Sequence, residues 1–261
     1  MTETTGTVAR TLSVLRVVAE AKGSVGVKDV ADALRLPMST SHRLLDLLLE
    51  AGFVQKETVK RRYRVGAEFF RVASLVTRRT SLASLVQPLL DTLARTTGET
   101  ALFATYQPAQ HTVTYAAKSD SAQSLRFRID LYQPVSSEWG ATGLAILAFL
   151  SEAEQAAAFA DAHSSPITGR RLTRAAYFER LAAVREAGFA FSEGEKLPDS
   201  VGIAVPLETA PGELAGAIAL TIPKVRFVRA KTKSYVELLR RAAASFSGRN
   251  GEALLSGPSP S

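Results

Sequence analysis

Cysteine is absent from all 261 residues, and histidine occurs only at His42, His111 and His163. The first absence excludes a disulfide framework and any thiolate metal site. No two histidines are close enough in sequence to make a paired metal motif, so the sequence predicts no metal and no cofactor. Apolar runs stay short of the roughly 18 residues that suggest a membrane span. Residues 1–12 lack a basic region followed by an apolar core, so a cytoplasmic chain with no membrane partner is expected. There is no glycine-rich phosphate loop and no nucleophile-elbow pattern. Asp161, His163 and Ser164 stand together in sequence, but neighbours at a helix end seldom converge, so no catalytic residue is assigned and an enzyme is not expected.

What is present divides in two. The length suggests two domains at about 150 residues each, and 46% hydrophobic residues are enough to bury a core in both. Residues 1–80 hold 14 Lys and Arg against 8 Asp and Glu, whereas the remainder holds 18 against 17. The basic excess of the chain therefore belongs almost wholly to its first third. That is the electrostatic footprint of polyanion binding, and it also suits a merely solubilising surface.

Residues 27–52, VKDVADALRLPMSTSHRLLDLLLEAG, read as two short amphipathic helices around Arg35-Leu36-Pro37. Val27, Val30, Ala31 and Leu34 share one stripe, and Leu44, Leu45 and Leu48 another. Pro37 restrains the residue before it and is tolerated in a first helical turn, so it can end one helix and open the next. A helix-turn-helix results. Its second helix opens with hydroxyls and a base, so Ser39, Thr40, Ser41, His42 and Arg43 are the candidate contacts to phosphates and base edges in a DNA major groove. Two ordinary helices in a core would share this pattern.

Residues 7–21 predict a covering helix with Val8, Leu12, Leu15, Val18 and Ala19 on one face. After Gly52, FVQKETVKRRYRVG reads as a basic hairpin, which completes a winged helix and adds Lys60, Arg61 and Arg62 as candidate DNA contacts. A linker helix is predicted over 67–79 and a longer one over 81–97, with Pro88 as a possible kink. The stripe on the second can pack on a sheet or on a partner subunit. ALFATYQ, HTVTYAAK and SLRFRID then read as strands, EWGATGLAILAFL as a glycine-bearing turn into a helix, and two more helices follow near 151–162 and 175–188. FAFSE, VGIAVPL and ELAGAIALTIP are further strands, closed by a helix over 231–246. Strands grouped before and after helices predict an α+β domain with a largely antiparallel sheet. The small residues 139–143 open a helix whose free N–H groups suit a carboxylate, and they also suit a plain packing turn.

Four stretches carry a resemblance to the IclR (isocitrate-lyase-regulator) family of bacterial transcription factors: LPMSTSHRLLDLLLEAGFV, RRYRVG, SEWGATGLAILAFL and GFAFSEGEKLPDSVGIAVPL. Together they span nearly everything from Thr7 to Phe246. The resemblance implies a winged helix-turn-helix DNA-binding domain over 1–66, linker and dimerisation helices over 67–97, a GAF-like α+β effector-binding domain over 98–250 and a disordered tail over 251–261. It implies an effector pocket at Gly140, Ala141, Ser192, Gly202, Ala219 and Thr221, with Thr142 in the same turn. Small apolar side chains there leave volume for a bulky, aromatic organic acid. The chain departs from the family pattern at Lys28, Arg35, Ser41 and Asp199. The function implied is a ligand-responsive repressor on double-stranded, palindromic operator DNA, acting as a homodimer or homotetramer. The alternatives are a winged-helix module for protein or RNA without operator specificity, and an enzyme with a degenerate GAF-like domain.

Overall fold

The computed structural model describes residues 6–21, 23–57, 61–78 and 82–255, without the side chains of 76–78 and 248–255. The chain divides into two compact units, one ending at residue 81 and the other beginning at Leu82.

In the first unit, α1 (Thr7–Glu20), α2 (Val27–Leu34) and α3 (Met38–Glu50) precede a hairpin of β1 (Val54–Glu57) and β2 (Arg62–Val65), and α4 (Ala67–Arg78) follows. Val14 and Val18 of α1, Val30 of α2, Leu44, Leu45 and Leu48 of α3, and Val54 and Tyr63 of the hairpin form one core. Each such side chain contributes roughly 1.5–3 kcal/mol by leaving water. The apolar ridge read on α1 is only partly the buried one, since Val8 and Leu12 are exposed and Val14 takes their place beside Val18. The spacing of 14 and 18 is the one that faces α2 and α3 here. A helix with apolar residues on two ridges does not reveal from its own pattern which ridge is covered. Val25 adds a one-residue antiparallel bridge to β2, its N–H and C=O both bonding Tyr63 at 2.8 and 2.7 Å.

The second unit is a three-layer α/β/α arrangement. Its elements are α5 (Leu82–Thr97), β3 (Thr100–Gln107), β4 (Thr112–Ser119), β5 (Pro134–Ser136), α6 (Ala141–Leu147), α7 (Glu152–Ala160), α8 (Arg174–Ala187), β6 (Ala190–Glu193), β7 (Ser200–Ala210), β8 (Glu213–Pro223) and α9 (Thr232–Leu255). The strands lie in the order β5-β4-β3-β8-β7-β6, every pair antiparallel. Period-2 alternation separates the two faces. Leu102, Ala104 and Ala219 point toward a core that includes Leu144, Ile146, Tyr177 and Leu181 of α6 and α8. Phe103, Ile218 and Leu220 point the other way, onto Val86, Leu90 and Leu93 of α5 and Val236 and Leu239 of α9. The stripe on α5 is thus covered by its own sheet, and α5 runs through Pro88 without ending.

Two elements differ from the sequence reading. Residues 124–130 form no strand: 124 and 125 lie in a bend and 126–130 have no regular structure. The Arg226 guanidinium donates to Leu125 O at 2.5 Å and the Lys118 amine to Ile129 O at 3.1 Å, so side chains supply bonds that a ladder would have made. The edge of β4 is taken instead by the three residues of β5, with Val113 opposite Val135. At the other end α9 runs on to Leu255, past the expected start of a disordered tail at 251, because extending an anchored helix adds a bond for each residue fixed. The tail from 256 lies outside the described residues.

Candidate nucleic-acid interface and effector site

The recognition helix α3 has an inner and an outer face. Ser41, Leu44, Leu45 and Leu48 are buried at i, i+3, i+4 and i+7. Ser39, His42, Arg43 and Leu47 are exposed and Thr40 is half-buried. Pro37, at the N-cap, offers no side-chain cap. The first-turn N–H groups, which no intrahelical carbonyl can reach, therefore stay free for an outside acceptor such as a phosphate. Arg43 has no hydrogen bond or ion pair among the described residues. His42 is engaged on one side, its Nδ1 lying 2.8 Å from Asp46 Oδ2 one turn on. Ser41 must be withdrawn from the DNA-facing set: it is 0% exposed, and its Oγ has no hydrogen-bond partner among the described residues.

The wing brings a second correction. Lys60 lies outside the described residues, and Arg61 is exposed, in the left-handed region at φ 47°. Arg62 is turned toward the start of α2 and stays half-exposed. Its Nε and Nη2 donate to Ser24 O at 3.0 and 2.6 Å, and Nη2 also to Asp29 Oδ2 at 2.8 Å. Asp29 in turn accepts from Gly26 N–H at 2.8 Å at the start of α2. That backbone bond, with Arg62 assisting, holds the Asp29 carboxyl below its ordinary range. Arg62 therefore clamps the wing to α2 through its Nε and Nη2. The sequence offered no signal for this, because Ser24 and Asp29 lie more than thirty positions away.

The expected effector residues do converge. Ser192, Gly202 and Thr221 form one rung across β6, β7 and β8, and Ala219 is on the same face two residues along. Above this rung sits the start of α6, where Gly140 at φ 82° is the N-cap. Ala141 N–H donates to Ser192 Oγ at 2.8 Å. Gly202 needs its lack of a side chain here, since a Cβ would lie 2.9 Å from Ser192 Oγ and 3.2 Å from the Ala141 Cβ. Thr142 is buried in the same turn, beside the Tyr115 phenol.

Three residues that the sequence reading passed over complete the site. Glu195 accepts from Gly140 N–H at 3.4 Å and from Arg180 Nη2 at 2.8 Å. Lys196 lays its methylenes 3.4–3.6 Å from where a Gly140 Cβ would be, and its amine donates to Ser136 O at 2.6 Å. Burial lowers the Lys196 amine to about 8, against an opposing pull from Glu138. In sequence, Glu195 and Lys196 were just charges in the link between two strands. At the same end of the sheet an open cleft of about 660 Å³ is lined by Leu125, Phe127, Pro198, Pro223 and Val225, with Asp199 and Lys224.

Comparison with known proteins decides the family. Residues 7–58 match the IclR helix-turn-helix domain, and residues 74–248 match the bacterial transcriptional regulator IclR C-terminal domain. The chain belongs to the IclR family. Transcriptional repressor IclR of Escherichia coli K12 is 28% identical over 192 residues, 71% of this chain and 68% of that one. The crystal structure of an IclR transcriptional regulator from Silicibacter sp. TM1040 superposes with a TM-score of 0.83 at 26% identity, covering 94% of this chain and 96% of the other. An IclR homologue from Microbacterium hydrocarbonoxydans, solved in complex with 4-hydroxybenzoate, has the same fold, with a TM-score of 0.77 at 20% identity over 93% of this chain and 98% of that one. The protein is thus an IclR-family transcriptional regulator with a helix-turn-helix DNA-binding domain and a C-terminal α+β domain.

The departures from the IclR pattern now have positions. Arg35 ends α2 in the left-handed conformation, φ 53° and ψ 42°, where glycine is the usual residue. Asp199 is likewise left-handed, at φ 51°, at the rim of the cleft. Lys28 caps nothing, because α2 begins at Val27 with Gly26 as its N-cap, and Asp29 supplies the reciprocal bond.

Proposed function

We infer that this IclR-family regulator is a repressor that binds a palindromic operator as a homodimer or homotetramer and is released by a small aromatic acid. The observation that carries the DNA half is the outer face of α3. There Arg43 is exposed with no partner among the described residues, Ser39, Thr40 and His42 flank it, and the first-turn N–H groups are open. Arginine can pair bidentately with guanine O6 and N7, and hydroxyls and N–H groups hold phosphates. Arg61 and Lys60 extend the contact from the wing. The repressor role is in keeping with the name of the Escherichia coli relative. Self-association is supported by apolar side chains left uncovered within the first unit, Val8 and Leu12 on α1 and Phe70 and Leu75 on α4.

For the effector half, the rung of Ser192, Gly202 and Thr221 under Gly140, Ala141 and Thr142 offers hydroxyls and main-chain N–H groups to a carboxylate, and Ala219 adds room. An arriving carboxylate takes over the acceptor role that Ser192 and Glu195 now play toward Ala141 and Gly140. The neighbouring cleft, walled by Phe127, Leu125 and prolines, suits the ring of an acid like the 4-hydroxybenzoate held by the Microbacterium relative. Release from DNA requires the acid to favour one conformation, and a swing from 99:1 to 1:99 needs about 5.5 kcal/mol of differential affinity.

The test is selection of binding sites from random duplex DNA, followed by gel shifts with 4-hydroxybenzoate, benzoate, pyruvate and glyoxylate. Sequence-selective binding weakened by the aromatic acids is the expected outcome. Binding without sequence preference would instead point to a winged-helix interaction module. A response to the two small acids alone would remove the aromatic effector.

A further inference from the structure

We propose that Asp46 is a positioning residue for DNA reading, which holds His42 as an imidazolium whose Nε2–H donates to a guanine edge. This rests on the outer face of α3 being the surface that meets DNA. His42 and Asp46 stand one turn apart on that helix, with Nδ1 2.8 Å from Asp46 Oδ2 and side chains 53% and 42% exposed. A carboxylate only accepts, so the hydrogen between the two atoms belongs to Nδ1. Nε2 is then the ring atom left for DNA, and it has no hydrogen-bond partner among the described residues.

Stability gives no reason for the pair. An exposed ion pair contributes little, and a base that precedes its acid along a helix is the less favourable order. A carboxylate on a face that meets phosphates is also repelled by them unless it brings its own counter-charge. The imidazolium is that counter-charge, and once DNA is bound the phosphates and Asp46 both favour it over the neutral ring. Only the imidazolium carries a hydrogen on each nitrogen. In the neutral ring Nε2 would be an acceptor, which cannot bond the O6 and N7 acceptors of guanine. His42 lies in the first turns of α3, the part of a recognition helix that meets base edges, and of the bases guanine alone offers a donor two acceptors in the major groove. The other charges exposed on this helix are Arg43 and Glu50. Arg10, Arg16 and Glu20 of α1, Lys28 and Asp32 of α2 and Lys56 of β1 form no pair with His42 or Asp46, while Asp29 is held by Gly26 and Arg62 and Glu57 by Ser24.

Histidine ordinarily loses its proton between about pH 5 and 8. A complex that needs the imidazolium is tightest at the acid end and weakens by up to about tenfold for each pH unit above it. The probe is a duplex selected from a random pool by the full-length protein at pH 6.5, compared with a scrambled duplex from pH 6 to 8.5 at constant ionic strength. Wild type should lose at least about tenfold in affinity for the selected duplex over that range. His111 and His163 belong to the second unit, so variants at 42 and 46 separate their contribution. Asp46→Asn keeps the shape and removes a negative charge, which by itself strengthens binding to any sequence. It should instead weaken the selected duplex by about tenfold relative to the scrambled one at pH 6.5, and flatten the pH profile. His42→Gln, whose amide donates without titrating, should also flatten the profile yet bind more tightly than His42→Ala. Where His42→Ala relaxes a guanine preference, 7-deazaguanine at that position should weaken wild type and leave His42→Ala unaffected. The proposal is overturned by a flat wild-type profile on the selected duplex, by Asp46→Asn binding it as well or better relative to the scrambled one, or by His42→Ala relaxing no guanine position. Wild type that binds every sequence alike would overturn it together with the reading face of α3.

Discussion

Ser41 and Arg43 stand two positions apart on the same helix and have opposite fates. The phase of α3 turns position 41 toward Leu44, Leu45 and Leu48 and position 43 toward solvent. Both were candidates in the sequence, because a hydroxyl at the start of a recognition helix is a plausible phosphate donor. The leucine spacing alone was enough to place Ser41 inside, and its polarity masked that. A buried hydroxyl without a partner forfeits its hydration for nothing in return, so Ser41→Ala should stabilise the first unit by roughly 1 kcal/mol. Urea unfolding of the intact chain, followed by hydrogen exchange at α3 amides, measures this. Base preference should be unchanged. By contrast, Arg43→Ala should cost about 1–3 kcal/mol of operator affinity and relax the preference at one position of each half-site. Equal weakening on all sequences would make Arg43 a phosphate contact only.

At the scale of elements, long periodic helices and strands were legible, and so was their grouping into two units, because one helix stripe or strand alternation is fixed by local sequence. What was not legible depended on partners distant in sequence. Residues 124–130 alternate like a strand, yet Arg226 and Lys118 from elsewhere take their carbonyls. Arg62 belongs to a basic run, yet Ser24 and Asp29 engage it. Arg62→Ala should consequently leave the salt dependence of DNA binding unchanged, whereas loss of a true phosphate contact lowers the slope by roughly one. The reading head should unfold at lower denaturant instead. A reduced slope with unaltered stability would return Arg62 to the interface.

The turn between β6 and β7 makes a second prediction at this scale. The folded chain binds the Lys196 proton less tightly than the unfolded chain does, with an amine near 8 against an ordinary value near 10.4. Below pH 8 both states carry the proton and the full cost of burying the charge remains. As pH rises from about 8 toward 10.4 the folded state loses its proton first and stability increases. Between pH 8 and 9.5 the gain should be about 1.5 kcal/mol. The buried tyrosines Tyr115 and Tyr177, whose phenols burial pushes up, oppose this only above about pH 10. Urea midpoints of the second unit across that window should climb in wild type and stay level in Lys196→Met. A flat wild-type profile would mean that Lys196 is hydrated in solution.

For the whole molecule the deciding quantity is symmetry. One α3 reads only a few base pairs, too little for an operator to be found among a genome's competing sites, so affinity and selectivity must come from copies acting together. Among the described residues the first unit leaves two apolar patches uncovered, Val8 with Leu12 and Phe70 with Leu75, whereas the stripe of α5 is already spent on its own sheet. If these patches are where copies meet, the contact is isologous and the two reading heads are related by a two-fold axis. The DNA must then be an inverted repeat with half-site centres about 10 base pairs apart or a multiple of it. Leu12→Glu and Leu75→Glu change no residue of the reading face, so each should shift the protein toward monomer in sedimentation and abolish operator binding while leaving the circular dichroism intact. Footprints that remain two-fold symmetric in both variants would move the dimer contact elsewhere. Protection of a single half-site by wild type would remove the symmetric operator itself.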